Sequence, residues 1–457
     1  MTSLSKPKFK QLSVRYILLF MLFMFFFINL NFISNKSLVS GIILVFVTLM
    51  SVPSSIQGFK VIFKDINIFL LLFFYWCLFT SFWSEYPLET LLRVIIIFIP
   101  SFIIIILVSN EKQKIKLFIK LARVFVICFS ILAGIGLLLR IFGNILYING
   151  QRIEVITLGP ISISQQLLGI PPFFRITSLT DNPNTLAMWM AFSLTLCVFL
   201  YYVGKLSFKL FFFNFILQLS ALLLTISRAG IATAIISLLL IYLMTKRRKI
   251  IYIIFILLVS IILISIIMSN KNLLILSNYS QLRLSTDLNS RQDAWMPLVE
   301  YISNNPFLGT GFGVSFEAIL QKKGLEIAAH NVYLIIFSET GLLGGSIFLL
   351  FWIYSIIISL FLYKNSRSFR LSKEEHFSVL VCFAFLVALL FHQFFEGKIM
   401  RLDFMHFIWI YLISHVSSLY RFKKVAIKDK ENKTYSSHYR FKHQWSKDGS
   451  LQVIFKN

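Results

Sequence analysis

The sequence predicts an all-α fold: a polytopic transmembrane helical bundle with both termini in the cytoplasm. Three observations carry this. Of 457 residues, 58% are hydrophobic and 14% charged, whereas a typical globular chain is about 45–50% apolar and about 25% charged. Fifty phenylalanines exceed what a water-soluble core buries while keeping a soluble surface. The apolar residues also fall in runs long enough to span a bilayer, about 20 residues each.

Twelve runs follow one another, at 16–34, 38–57, 66–83, 89–108, 122–142, 184–203, 207–226, 228–245, 250–268, 333–362, 376–396 and 402–420. The first follows Lys6, Lys8, Lys10 and Arg15, as in a signal sequence. It lacks a small-x-small cleavage site and is expected to stay as an anchor. Basic residues then collect between alternate runs: Lys60 and Lys64; Lys112 to Arg123; Lys205 and Lys209; Lys246 to Lys249; Lys364 to Lys373; and the tail. Cytoplasmic loops gather Lys and Arg in this way. The formal charge of +25 therefore needs no nucleic-acid partner. Residues 1–15 form a cytoplasmic N-terminus, 16–420 the membrane core, and 421–457 a basic cytoplasmic tail expected to be disordered. Cys77, Cys128, Cys197 and Cys382 lie singly in apolar runs, as packing residues rather than a zinc or disulfide framework.

Two outer segments are long, 143–183 and 269–332. Arg140, Arg152, Arg175, Arg228, Arg283 and Arg291 lie at this disfavoured side, and Arg93 sits just inside the fourth run. Arginine suits forked contacts with phosphate oxygens. Any one of them has a simpler explanation, snorkelling to headgroups or pairing with a loop acid. The sixth, eighth and tenth runs point their N-termini outward, where free N–H groups and the helix dipole favour an anion. Asn182 with Pro183 and Asn184 opens the sixth, Ser227 and Arg228 the eighth, and His330 with Asn331 the tenth. Capping accounts for Asn182 and Ser227, but not for Arg228. His330 is the one histidine in a long outer segment. The Gly309-Thr310-Gly311-Phe312-Gly313 run is weak as a phosphate loop, because no strand-to-helix context surrounds it.

Taken in order, these landmarks resemble a known family. Asp181-Asn182-Pro183-Asn184-x-x-Ala187, Ser227-Arg228-Ala229-Gly230, Ser290-Arg291-x-x-x-Trp295, Pro306-Phe307-Leu308-Gly309-x-Gly311-Phe312-Gly313, His330-Asn331-x-Tyr333-Leu334 and Glu339-x-Gly341 resemble the O-antigen ligase and polymerase superfamily. Trp83-Ser84-Glu85-Tyr86-Pro87 resembles its exopolysaccharide-polymerase branch. The likeness spans about 66–420, with the motifs between 181 and 341.

The resemblance implies an integral-membrane glycosyltransferase of the GT-C type at the bacterial inner membrane, its site facing the periplasm. It would take a glycan from undecaprenyl diphosphate and pass it to a lipid-linked repeat unit, the lipid A core or another glycan. A protein-glycosylating branch uses serine or threonine. The implied catalytic residues are Arg228 and Arg291 for the diphosphate and His330 as base, with Glu339 in reserve. Arg93, Arg175, Asn182, Asn184, Ser227, Gly311, Asn331 and Tyr333 are the candidate substrate-binding residues. No metal or other cofactor is expected: the first outer loop, near Asn35-Lys36-Ser37, has no acidic residue. Membrane lipids surround the core. The alternative from another class is a transporter of polysaccharide or lipid-linked oligosaccharide. That reading calls for related halves, broken helices and midplane charge, and the runs are instead uniformly apolar.

Overall fold

The computed structural model describes residues 14–30, 61–63, 65–148, 151–159, 161–168, 174–245, 289–325, 328–438, 442–445 and 451–454. Its helices are α1 (Val14–Ile28), α2 (Asn67–Phe79), α3 (Pro87–Asn110), α4 (Lys114–Phe142), α5 (Pro183–Tyr202), α6 (Phe208–Leu224), α7 (Arg228–Thr245), α8 (Asn289–Asn304), α9 (Val332–Lys364), α10 (Lys373–His392) and α11 (Phe404–His438). Every expected span among the described residues coincides with a helix. The runs at 38–57 and 250–268, and Arg283, lie outside the described residues. Six described helices are long and apolar enough to cross a membrane. The molecule is mostly helical, as a polytopic membrane protein requires.

Helix α5 is the axis of the bundle. Its residues from Thr185 to Leu200 are all buried, as expected of a helix that is apolar on every side. It packs against α4, α6, α7 and α10. Gly230 lets α7 approach closely, since a Cβ there would stand 2.4 Å from that of Ala187. Small residues at such a crossing bring backbones together. The contact sets the N-termini of α5 and α7 side by side. Aromatic rings fill the rest of the core, among them Trp189 against Phe26, Phe129 and Phe404, and Trp352 against Trp409.

The two ends of the bundle differ in chemistry. At the end holding the C-terminus of α3, Lys114 Nζ donates to the carbonyls of Val108, Ser109 and Glu111. A cation at a helix C-terminus complements the dipole. Lys205 pairs with Glu374 at 3.1 Å and Lys423 with Glu375 at 2.8 Å, beside the Ser372–Glu375 capping box. At the other end lie Arg93, Arg175, His330 and the turn after α10.

Two parts depart from the sequence expectation. The outer segment after α4 is a three-stranded antiparallel sheet, β1 (Asn144–Ile148), β2 (Gln151–Leu158) and β3 (Ile161–Leu167), in the order β1-β2-β3. Buried Glu154 pairs with Gln165 across the strands, accepts 2.6 Å from Arg140 and ties the sheet to the end of α4. The tail is not disordered from 421. Helix α11 continues to His438, because Arg421 donates to Val61 O and Ser109 and Lys423 reaches Glu375. A hairpin of β4 (Lys442–Trp445) and β5 (Leu451–Ile454) follows.

Candidate functional site

A buried carboxylate, Glu396, gathers four of the candidate residues at this end: His330, Arg291, Asn184 and, through Asn184, Arg175. The turn after α10 delivers it. Buried Gln393 accepts from the backbone N–H groups of Lys398 and Ile399, both at 3.1 Å, and so folds the chain back over residues 393–399. Glu396 Oε1 accepts from Asn184 Nδ2 and lies 3.9 Å from the Arg291 guanidinium. Its Oε2 lies 3.2 Å from His330 Nδ1. Arg175, also buried, donates to Asn184 Oδ1 at 2.5 Å and to Thr225 O at 2.7 Å. One chain of contacts thus runs from the α6–α7 turn through Arg175 and Asn184 to Glu396 and His330. Burial pushes the Glu396 carboxyl up, but the His330 hydrogen bond and the cationic neighbours outweigh it and hold it below its ordinary value. Lys398, 3.3 Å from Asp403, is held above its ordinary value: burial opposes its charge, and Asp403, Asp181 and Glu396 outweigh that.

His330 is held in a left-handed backbone conformation, φ 48°, which is uncommon for a residue other than glycine. Its neighbours fix it there. Ala329 O accepts from the Trp295 indole at 2.5 Å. Asn331 caps α9 through the N–H groups of Tyr333 and Leu334. Val332 N donates to Gln393 O at 3.0 Å. The ring is about a third exposed. An Nδ1–H given to Glu396 leaves Nε2 with a lone pair.

The remaining candidates divide between the site and the scaffold. Arg228 is exposed at the N-terminus of α7 and has no ion pair among the described residues. Ser227 accepts from Gly230 N at 3.3 Å, and Asn182 from Asn184 N at 2.8 Å, so both cap helices. The Tyr333 hydroxyl donates to Leu390 O at 2.6 Å. Arg93 is taken by Glu89 and by Glu317, the latter at 2.8 Å. Glu339 is buried and accepts from Arg401 and from the Ser315 hydroxyl, each at 2.8 Å. Both lone-pair directions of its Oε1 are thereby used.

The glycine run clasps α9. Thr310 N and Gly311 N donate to Ser338 O and Glu339 O, both at 3.0 Å, and Leu342 N donates to Pro306 O. A Cβ on Gly309 would stand 2.1 Å from the Glu339 backbone, and one on Gly311 2.3 Å from Ser84 Oγ. Gly341, at φ 66°, kinks α9 where the clasp closes. Trp83 Nε1 donates to Gly309 O at 2.9 Å, so the Trp83–Pro87 element holds the same clasp.

Sequence reasoning missed Glu396, Lys398, Arg401, Asp403 and Glu317. The first four did leave a signal: four charges in eight residues, 396–403, where the last two apolar runs meet.

Residues 213–349 match the family model described as O-antigen ligase. The match covers less than half of the chain and supports the ligase and polymerase superfamily. None of the curated proteins matches the chain significantly. The ligase match supports a role of the ligase or polymerase type in surface polysaccharide assembly, with a lipid-linked glycan and an acceptor as partners in general. It runs from α6 into α9 and contains Arg228, Arg291, His330 and Glu339. Arg175, Asn184 and Glu396 lie outside it, so the Glu396 cluster joins the matched segment to the flanking helices.

Proposed function

We propose that this protein transfers a glycan from undecaprenyl diphosphate to an acceptor hydroxyl at the periplasmic face of the bacterial inner membrane. The observation that carries the reading is His330, a third exposed, whose Nδ1 rests on the buried Glu396 that also lies 3.9 Å from Arg291. In the reaction, His330 Nε2 takes the proton of the acceptor hydroxyl as its oxygen attacks the anomeric carbon. The bond from that carbon to the diphosphate oxygen breaks, and the charge leaving on the diphosphate is met by Arg228, Arg291 and the N-terminus of α7. Glu396 orients the imidazole and stabilises the imidazolium that forms, as a third group does in a catalytic triad. No metal enters the scheme. The polymerase outcome, with a lipid-linked repeat unit as acceptor, is preferred on the likeness of Trp83–Pro87 to the polymerase branch.

Two measurements test this. Deletion of the protein should leave surface glycan as single units on a gel; loss of all decoration with lipid-linked polymer accumulating would make it a ligase. Purified protein with lipid-linked donor should keep its activity in excess EDTA, and a strict need for Mg²⁺ or Mn²⁺ would refute the scheme.

A further inference from the structure

Beyond the Glu396 cluster, α8 forms one wall of a second concave site. The facing wall is the short helical turn of Phe316–Leu320 and Gln321–Lys323. The cleft between them holds about 260 Å³, slightly less than the roughly 300–1,000 Å³ of drug-sized ligand sites. Six side chains that bear hydrogen-bonding groups line it: Glu300, Tyr301, Asn304 and Asn305 on one side, Lys322 and Lys323 on the other. Ala318 and Ile319 form the apolar floor.

The fold does not account for this rim. Packing between α8 and the turn is carried beneath it by Ala294, Leu298, Ile319 and Leu320. Lys323 pairs with Glu300 across the cleft, and Lys322 with Glu85. These pairs are exposed, and such pairs add little to stability. They do keep each lysine matched to a carboxylate, which suits a neutral, hydroxyl-rich ligand better than a phosphate. Amides and paired charges exchange hydrogen bonds with hydroxyls at little cost, and the Tyr301 ring with the apolar floor meets the C–H face of a sugar. Tyr301 is ten residues along α8 from Arg291, about 15 Å at 1.5 Å per residue.

We propose that this cleft is a glycan subsite, which holds sugars of the acceptor or of the growing chain at a short oligosaccharide's reach from the diphosphate. The inference rests on the glycan-transfer reading and adds to it a place that holds the sugars.

The test uses the full chain in lipid nanodiscs and, as probe, the repeat-unit glycan released by mild acid from the strain's own lipid-linked precursor. Binding is followed by saturation-transfer NMR and titration. The parent and His330→Ala should bind the glycan alike. Tyr301→Ala, and the exposed pair Asn304→Ala with Lys322→Ala, should bind about ten-fold more weakly or worse, the value of one or two hydrogen bonds. The double variant changes only surface side chains, so its folding is not at stake. If it binds like the parent, or if the parent does not bind the glycan, the subsite is overturned. Should the cleft variants lose the glycan while no transfer is ever detected, the subsite stands and the transfer reading falls.

Discussion

Two carboxylates at the same end of the bundle, each 1% exposed, have opposite surroundings. Glu339 is tied to the scaffold: Arg401 and Ser315 hold its Oε1, and its backbone carbonyl accepts from Gly311 in the clasp on α9. Glu396 is tied to the candidate site, with partners on both oxygens. Its partners are a histidine with a free nitrogen, an arginine 3.9 Å away and an asparagine that is itself held by Arg175. A buried charge paired with a scaffold arginine keeps a fold together, while one that leans on an imidazole can assist a proton transfer. Burial alone does not separate the two roles; the partners do.

The largest effect that sharpens this contrast is expected at His330. His330→Ala should insert and fold normally and still bind the undecaprenyl diphosphate donor. Its transfer rate should fall about 10²–10⁴-fold, the usual worth of a general base. Turnover within a few-fold of the parent would remove His330 from the chemistry.

Next come the arginines. Arg228→Lys should be nearly as damaging as Arg228→Ala, because lysine keeps the charge and loses the planar fork. Near-normal single-turnover rates with lysine would reduce Arg228 to a point charge.

The carboxylates themselves should then separate cleanly. Glu396→Gln is expected to lower transfer per folded molecule about 10–100-fold, as loss of a group that orients a histidine does. Glu339→Gln should instead cost about 3–5 kcal/mol of stability, the usual result of breaking a buried ion pair. Transfer per folded molecule should survive it. Measured thermal unfolding and rate, side by side, decide this. Equal loss of rate in the two variants would erase the distinction.

The smallest effect is in acid. Because the Glu396 carboxyl is held below its ordinary value of 4.5, the stability it contributes is fully present above that pH. It is lost as pH falls through the lower folded-state value. The parent should therefore lose stability below about pH 4.5, and Glu396→Gln should lack that part of the loss. Identical acid profiles would show that the pairing does not favour the folded state.

Much of the architecture was legible in the residue order. Apolar runs of spanning length place the helices from 14–28 to 404–438, because a helix in lipid satisfies its own backbone and needs only a run of apolar side chains. Caps are also local, so Asn182, Ser227 and Asn331 could be read as helix starts. The position of Arg228 at a helix N-terminus follows in the same way. Other features depend on the tertiary structure. The sheet at 144–167 escaped the pattern because its buried face carries Glu154 and Gln165, which inverts the usual alternation. The glycine run reads as a loop until the kinked α9 is laid against it. Glu396 meets His330 across 66 residues of sequence, and Asn184 across 212. Hydropathy and capping are set by neighbours along the chain. A carboxylate's role is set by neighbours in space, and only packing around α5 brings those together.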